Sequence, residues 1–241
     1  MSRENVSVVL VHGAWADGSS WAKVIGPLAA EGVGVLAAPL PLTSFADDTA
    51  ALERTLERVS GPVVLVGHAY AGAVIGAARS EKVKALVYVA ALAPDEGETV
   101  ADVFYRAEPH PLAPKLAPDN HGLIYMPNES FAAAFAQNAS AAELALLSAV
   151  QRPISPACIT VPVNRPLWKD RPTWFLIAEQ DRMIVHETQR FMAERMHTRV
   201  RSHPVDHAPI VTAPGLVVDI IREAIEESIS GRSPSFLKDS E

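Results

Sequence analysis

Two residues of complementary chemistry stand where they could share a proton. Asp181 follows the apolar run Thr173–Ala178, and His207 follows the run 199–205. A carboxylate that holds one imidazole nitrogen leaves the other free to act as a base, which is how acyl-transfer enzymes activate a nucleophile. The place for a nucleophile lies earlier in the chain. Residues 63–66 run without a polar break into the small-residue turn Gly67-His68-Ala69-Tyr70-Ala71-Gly72, and a stretch suited to a helix follows. A strand, tight turn and helix in this order lift the central residue of the turn into a strained, exposed position. That residue is Ala69, which offers only a methyl group. The backbone N–H groups of Ala14, after the first apolar run, and of Tyr70, after the turn's centre, are the expected donors to a developing oxyanion.

These residues need a scaffold that brings them to one edge. Residues 63–66 and 83–91 are short, almost wholly apolar runs bounded by turn residues, which predicts strands buried on both faces, and residues 6–11, 33–37, 173–178 and 199–205 read as further strands. Helical spacing of Trp21, Val24, Ile25, Leu28 and Ala29 predicts a helix, with Ser19 or Ser20 as its cap. Residues 46–59 place Leu52, Leu56 and Val59 on one face with acids early, a surface helix. Further helices are expected from the turn to about Arg79, at 186–196 and at 216–229. Strands alternating with helices predict an α/β fold with a mostly parallel six-stranded sheet covered on both faces. Ligands bind at the carboxyl ends of such strands.

The alternation stops between residues 95 and 171, where prolines gather around helical stretches at 129–138 and 141–150. A region this long without strand–helix alternation reads as an inserted helical cap, 95–171, on a core of 1–94 and 172–241. Trp15, Tyr125, Met126 and Trp168 are candidates to line a substrate pocket, Trp15 beside the oxyanion turn and the others in the cap. Such a lining suits a small, mostly apolar molecule.

The 241 residues are 49% hydrophobic and 20% charged, an ordinary globular balance, with a net charge of −7 and no basic cluster. Nucleic acid is therefore not an expected partner. No apolar run approaches the ~20 residues that span a bilayer, so no membrane is expected either. The single cysteine, Cys158, and an N-terminus without an apolar signal region point to the cytoplasm. Gly72 and Gly76 lack the G-x-G-x-x-G spacing of a dinucleotide loop, and no ligand spacing suggests a metal, so no cofactor is expected. His12 and His68 are expected to support the turns they adjoin, and Asp206 to bond within its own loop. A homodimer built on apolar residues of the cap stays open.

VLVHGAWADGSSW at 9–21, VGHAYAG at 66–72, VKALVYVAALAPDEGE at 83–98, AEQDRMIVHETQRFMAERM at 178–196 and VDHAPIVTAP at 205–214 together resemble one family. It is that of the small α/β-hydrolases, which includes plant methyl-ester esterases, hydroxynitrile lyases and many bacterial relatives. The resemblance covers nearly the whole chain. It implies a six-stranded core with a cap after the strand at 83–91, and it matches Asp181 and His207 to the family's acid and histidine. Two departures stand out. Ala69 replaces the family's serine, and Ala208 stands where the lyases carry a lysine, which counts against cyanohydrin cleavage.

Three readings of Ala69 follow. It is an engineered replacement in a carboxylic-ester hydrolase; or it is native to a non-hydrolytic enzyme that uses the His207–Asp181 dyad as a general base, of lyase or cofactor-free oxygenase type; or the chain is a ligand-binding pseudoenzyme. Removing the serine of a comparable triad costs about 10⁶ in kcat, so ester hydrolysis by the chain as written is expected to be very slow.

Overall fold

The computed structural model describes residues 6–230. Its centre is a six-stranded parallel sheet of order β2-β1-β3-β4-β5-β6. The strands are β1 (Ser7–Val11), β2 (Gly34–Ala38), β3 (Val63–His68), β4 (Val83–Val89), β5 (Thr173–Ala178) and β6 (Arg199–His203). Every residue of β3 and β5 is buried, so both faces of the sheet are covered there, as their unbroken apolar runs require. The edge strands β2 and β6 are partly exposed along most of their length.

The connecting helices are α1 (Ala22–Ala30), α2 (Phe45–Glu57), α3 (Ala71–Gly76), α7 (His186–Arg195), α8 (Pro209–Thr212) and α9 (Pro214–Ser230). α9 packs against β3, β4 and β5 and carries α1 on its flank. Three sequence expectations shift. The first helix is preceded by a 3₁₀ turn, Gly18–Trp21, whose cap is Asp17 rather than a serine; its carboxylate accepts the Ser19 N–H at 2.8 Å. α3 stops at Gly76, because the chain turns away and the Arg79 N–H goes to Glu53 Oε1 of α2 at 2.8 Å instead of to a helical carbonyl. α2 is capped by Ser44 and begins with two acids of opposite fate. Asp47 is exposed at the helix N-terminus, whereas Asp48 is fully buried, so α2 is not simply a surface helix.

Between β4 and β5 the chain adds no strand to the sheet. This insertion holds α4 (Val100–Phe104), the short α5 (Asn128–Ser130) running into a π-helical turn at Phe131–Phe135, and α6 (Ala141–Val150). Its one backbone bridge among the described residues is antiparallel, Ile124 to Ile154. The polar segment from residue 231 onward lies outside the described residues. Among those described, no helix is long and apolar enough to cross a membrane.

Candidate active site

The turn after β3 is built by crowding. Ala69 has φ +52°, a left-handed conformation that costs a side-chain-bearing residue on the order of 1 kcal/mol. Backbone bonds hold it there: its N–H donates to Val89 O at 3.2 Å, and its carbonyl accepts from Leu92 N at 2.9 Å and Gly72 N at 3.1 Å. Glycine is required on either side. A Cβ at Gly67 would lie 2.8 Å from Ala71 O, and one at Gly72 only 2.3 Å from Leu92 O. The turn after β1 presses on the same point, since a Cβ at Gly13 would lie 2.9 Å from His68 O and 3.0 Å from the Ala69 methyl. Ala14 is thereby seated next to the elbow.

His207 Nδ1 lies 2.7 Å from Asp181 Oδ2, both side chains buried. The carboxylate is fully engaged. Its Oδ1 accepts the N–H groups of Met183 at 2.7 Å and Ile184 at 2.9 Å, and Oδ2 also accepts Gln189 Nε2 at 2.9 Å. An acceptor saturated in this way orients the imidazole with its Nδ1–H toward Asp181, leaving Nε2 to face the cavity. The ring is gripped on two sides, by Phe135 at 5.0 Å and His68 at 4.9 Å between centroids. His68 donates from Nε2 to the His207 carbonyl at 2.7 Å, and burial, with His207 alongside, lowers its pKa to about 3. It is a neutral wedge. His12 braces the other turn: its Nε2 accepts from Leu40 N at 3.1 Å while Nδ1 donates to Gly13 O at 3.0 Å. Burial lowers the pKa of His12 to about 4.

These pieces meet at one cavity of about 90 Å³, lined by Ala14, Trp15, Ala69, Tyr70 and His207 from the core. Val100, Ala101, Phe104, Tyr105 and Ile124 of the insertion, with Met183 and Ile184, form much of the remaining wall. No Lys, Arg, Asp or Glu lines it. Among the described residues neither the Ala14 N–H nor the Tyr70 N–H has a hydrogen-bond acceptor. The Tyr70 hydroxyl turns away from the cavity to Asp48 Oδ2 at 2.7 Å.

Three expected pocket residues are elsewhere. Tyr125 is 49% exposed, because it follows the bridge residue Ile124 and extended backbone turns successive side chains to opposite sides. Ile124 takes the cavity position in its place, and Met126 is buried away from the cavity. Trp168 packs near Gly76 and donates its indole N–H to Pro94 O at 3.3 Å, so it fastens the exit of the insertion to its entrance. Asp206 bonds locally to Ala208 N and Thr212 Oγ1, and it also reaches Asn138 N of the insertion at 2.9 Å. Gln189, Asp48 and Phe135 are supporting residues that no spacing in the sequence singled out; their roles arise from contacts between distant segments. Among the described residues no group of three His, Cys, Asp or Glu could hold a metal.

The model of the α/β-hydrolase family matches residues 8–220, most of the chain and every element of this site. The chain belongs to the α/β-hydrolase family. No curated protein sequence matches this α/β-hydrolase. Solved structures do, at the level of fold. A methylesterase from Arabidopsis is 17% identical with a TM-score of 0.75, covering 92% of this chain and 99% of its own. A pyrethroid hydrolase from Sphingobium faniae is 20% identical with a TM-score of 0.75, at 93% and 99% coverage. A tomato methylketone synthase I variant, in complex with β-ketoheptanoate, is 18% identical with a TM-score of 0.80, at 93% and 99%. The fold implied by the sequence motifs is the fold of these neighbours, and the chain is related to esterases.

Proposed function

We propose that this α/β-hydrolase carries out non-covalent enolate chemistry on a small apolar carbonyl compound, and that the reaction its site suits best is loss of CO₂ from a 3-oxo acid. The observation that carries this reading is the methyl of Ala69 in an otherwise intact frame of dyad and free N–H donors. Acyl transfer needs an oxygen nucleophile at that position and has none. Enolate chemistry needs only a site for developing negative charge and a group that moves a proton.

The ketone oxygen of the substrate would accept from the N–H groups of Ala14 and Tyr70. Its carboxylate would enter a wall without Lys or Arg, where loss of solvation raises the energy of the ion relative to a transition state in which the charge moves toward the hole. The C–C bond to the carboxylate breaks, its electron pair forms the enolate, and CO₂ departs. His207, whose Nε2 has first taken up a proton from solvent, delivers that proton to the α-carbon, giving a methyl ketone, and solvent replaces it for the next turnover. Asp181 holds the ring through Nδ1 throughout. The tomato neighbour, a methylketone synthase bound to β-ketoheptanoate, supports this choice of substrate class.

The test is CO₂ release from medium-chain 3-oxo acids in D₂O, with the protein and with His207→Ala. The expected result is release above the uncatalysed rate, one solvent deuterium at the new methyl group, and a loss of about 10²-fold or more in the variant. Equal rates with and without protein, or with and without His207, would sink the reading.

A further inference from the structure

The residue beside one donor assigned to the oxyanion hole is held directly by the insertion, and the side chain of the other is held through core residues that the same piece of the insertion touches. Trp15, next to Ala14, has φ +56°, a conformation that an indole-bearing residue keeps only when held. Its backbone N–H donates to Arg152 O at 3.1 Å and its indole N–H to Ile124 O at 2.9 Å. Ile124 is tied in turn to Ile154 by the bridge, with N–H to carbonyl distances of 2.9 and 3.1 Å. Ser155 then donates its N–H to Leu42 O at 2.9 Å. Leu42 is also left-handed, at φ +60°, and its own N–H goes to Asp48 Oδ1 at 2.7 Å. The other oxygen of Asp48 accepts the Tyr70 hydroxyl, and the Cys158 thiol lies against both Asp48 and Tyr70. Residues 152–158 therefore grip Trp15 on one side of the hole and the anchor of Tyr70 on the other.

We infer that segment 152–158 is a clamp that sets the oxyanion hole, with Trp15 and Tyr70 as the positioning side chains through which it acts. This rests on the reading of the Ala14 and Tyr70 N–H groups as the donors. With the segment docked, the left-handed turn at Trp15 is held and both N–H groups face the cavity. When the segment lifts, the two bonds that hold Trp15 in its strained conformation are lost together, and the hole loses its shape. Opening the wall of the cavity and disabling the hole are then one event. The device would keep the hole from forming around water while the insertion stands open.

Trp15→Phe keeps an aromatic ring in the cavity wall and removes the indole donor together with part of the ring's volume; Tyr70→Phe removes only the hydroxyl. Amide hydrogen exchange by NMR and steady-state kinetics on 3-oxo acids are read for both. In Trp15→Phe, exchange at Ile124 and Ile154 is expected to rise about fivefold to tenfold, the worth of one hydrogen bond, with β5 and β6 unchanged. In Tyr70→Phe the rise is expected at Ser155. In both, kcat is expected to fall about tenfold with KM within about twofold, a split that simple loss of stability would not give. Unchanged exchange at all three amides, a rise shared equally by β5 and β6, or raised exchange with unaltered kcat would each overturn the clamp. If the wild type turns over no 3-oxo acid, the proposed function fails, and kcat is read instead as ester turnover in the Ala69→Ser background. Inactivity there as well would overturn the donor assignment and the clamp with it.

Discussion

The carboxylate of Asp181 takes four donors at once: His207 Nδ1 at 2.7 Å, Gln189 Nε2 at 2.9 Å, and the N–H groups of Met183 at 2.7 Å and Ile184 at 2.9 Å. The group is out of solvent, so these bonds are what keep the charge inside the protein. They also give His207 a single orientation over a cavity whose other walls are apolar.

Replacing Asp181 by Asn leaves one acceptor oxygen where two were saturated and sets an amide NH₂ against two donors. Stability is expected to drop by about 2–4 kcal/mol, read as a lower urea midpoint. Turnover should fall by about 10³–10⁴, because the imidazole loses its tautomer and its counter-charge. A variant with wild-type activity would show that the dyad is structural.

Ala69→Ser adds one oxygen at a position already held at φ +52° by three backbone hydrogen bonds, so the variant should fold with its midpoint within about 1 kcal/mol of wild type. With His207 and the two N–H donors in place, hydrolysis of short acyl and methyl esters is expected to rise by about 10² or more over the parent. Absence of any gain would mean that the hole and dyad are not aligned for acyl transfer, and that the frame serves enolate chemistry alone or only binding.

Ala101 lines the cavity from α4, whereas Tyr125 does not line it. Ala101→Leu should therefore raise KM for longer-chain 3-oxo acids several-fold and leave the shortest ones unaffected. Tyr125→Ala should leave KM unchanged across the series. The reverse pattern in a chain-length panel would place substrate on the outer face of the insertion.

His12 and His68 are buried and neutral in the fold, with pKa lowered by burial to about 4 and about 3, against about 6.5 in the unfolded chain. As pH falls below about 6.5 the unfolded chain takes up two protons that the folded chain refuses. The folding free energy should then decline by about 1.4 kcal/mol per pH unit for each histidine down to about pH 4. His68→Asn, which keeps an N–H for the His207 carbonyl, should remove half of that slope in urea titrations between pH 6.5 and 4.5. An unaltered slope would mean that His68 carries its charge inside the protein.

What the sequence determined by itself was the scaffold and the frame on it. Unbroken apolar runs such as 63–66 and 173–178 have to be strands buried on both faces, because only a covered parallel sheet accommodates them. Tight turns at 12–15 and 67–72, with Asp181 and His207 at later strand ends, are short-range patterns, and the parallel topology alone places them at one edge. That the centre of the turn is Ala69, without an oxygen, is legible in the same way. Tertiary structure decided the rest, because the remaining assignments depend on pairings between residues far apart in the chain. Nothing near Tyr125 in the sequence reveals that Ile124 meets Ile154 and turns the tyrosine outward. Nothing near Asp48 reveals that the second of two adjacent acids goes under the elbow to meet Tyr70. The burial of Asp48, the wedge of His68 under His207 and the grip of residues 152–158 on Trp15 are long-range contacts. Local propensity carries no information about such contacts, because their energy exists only once the chain has closed on itself.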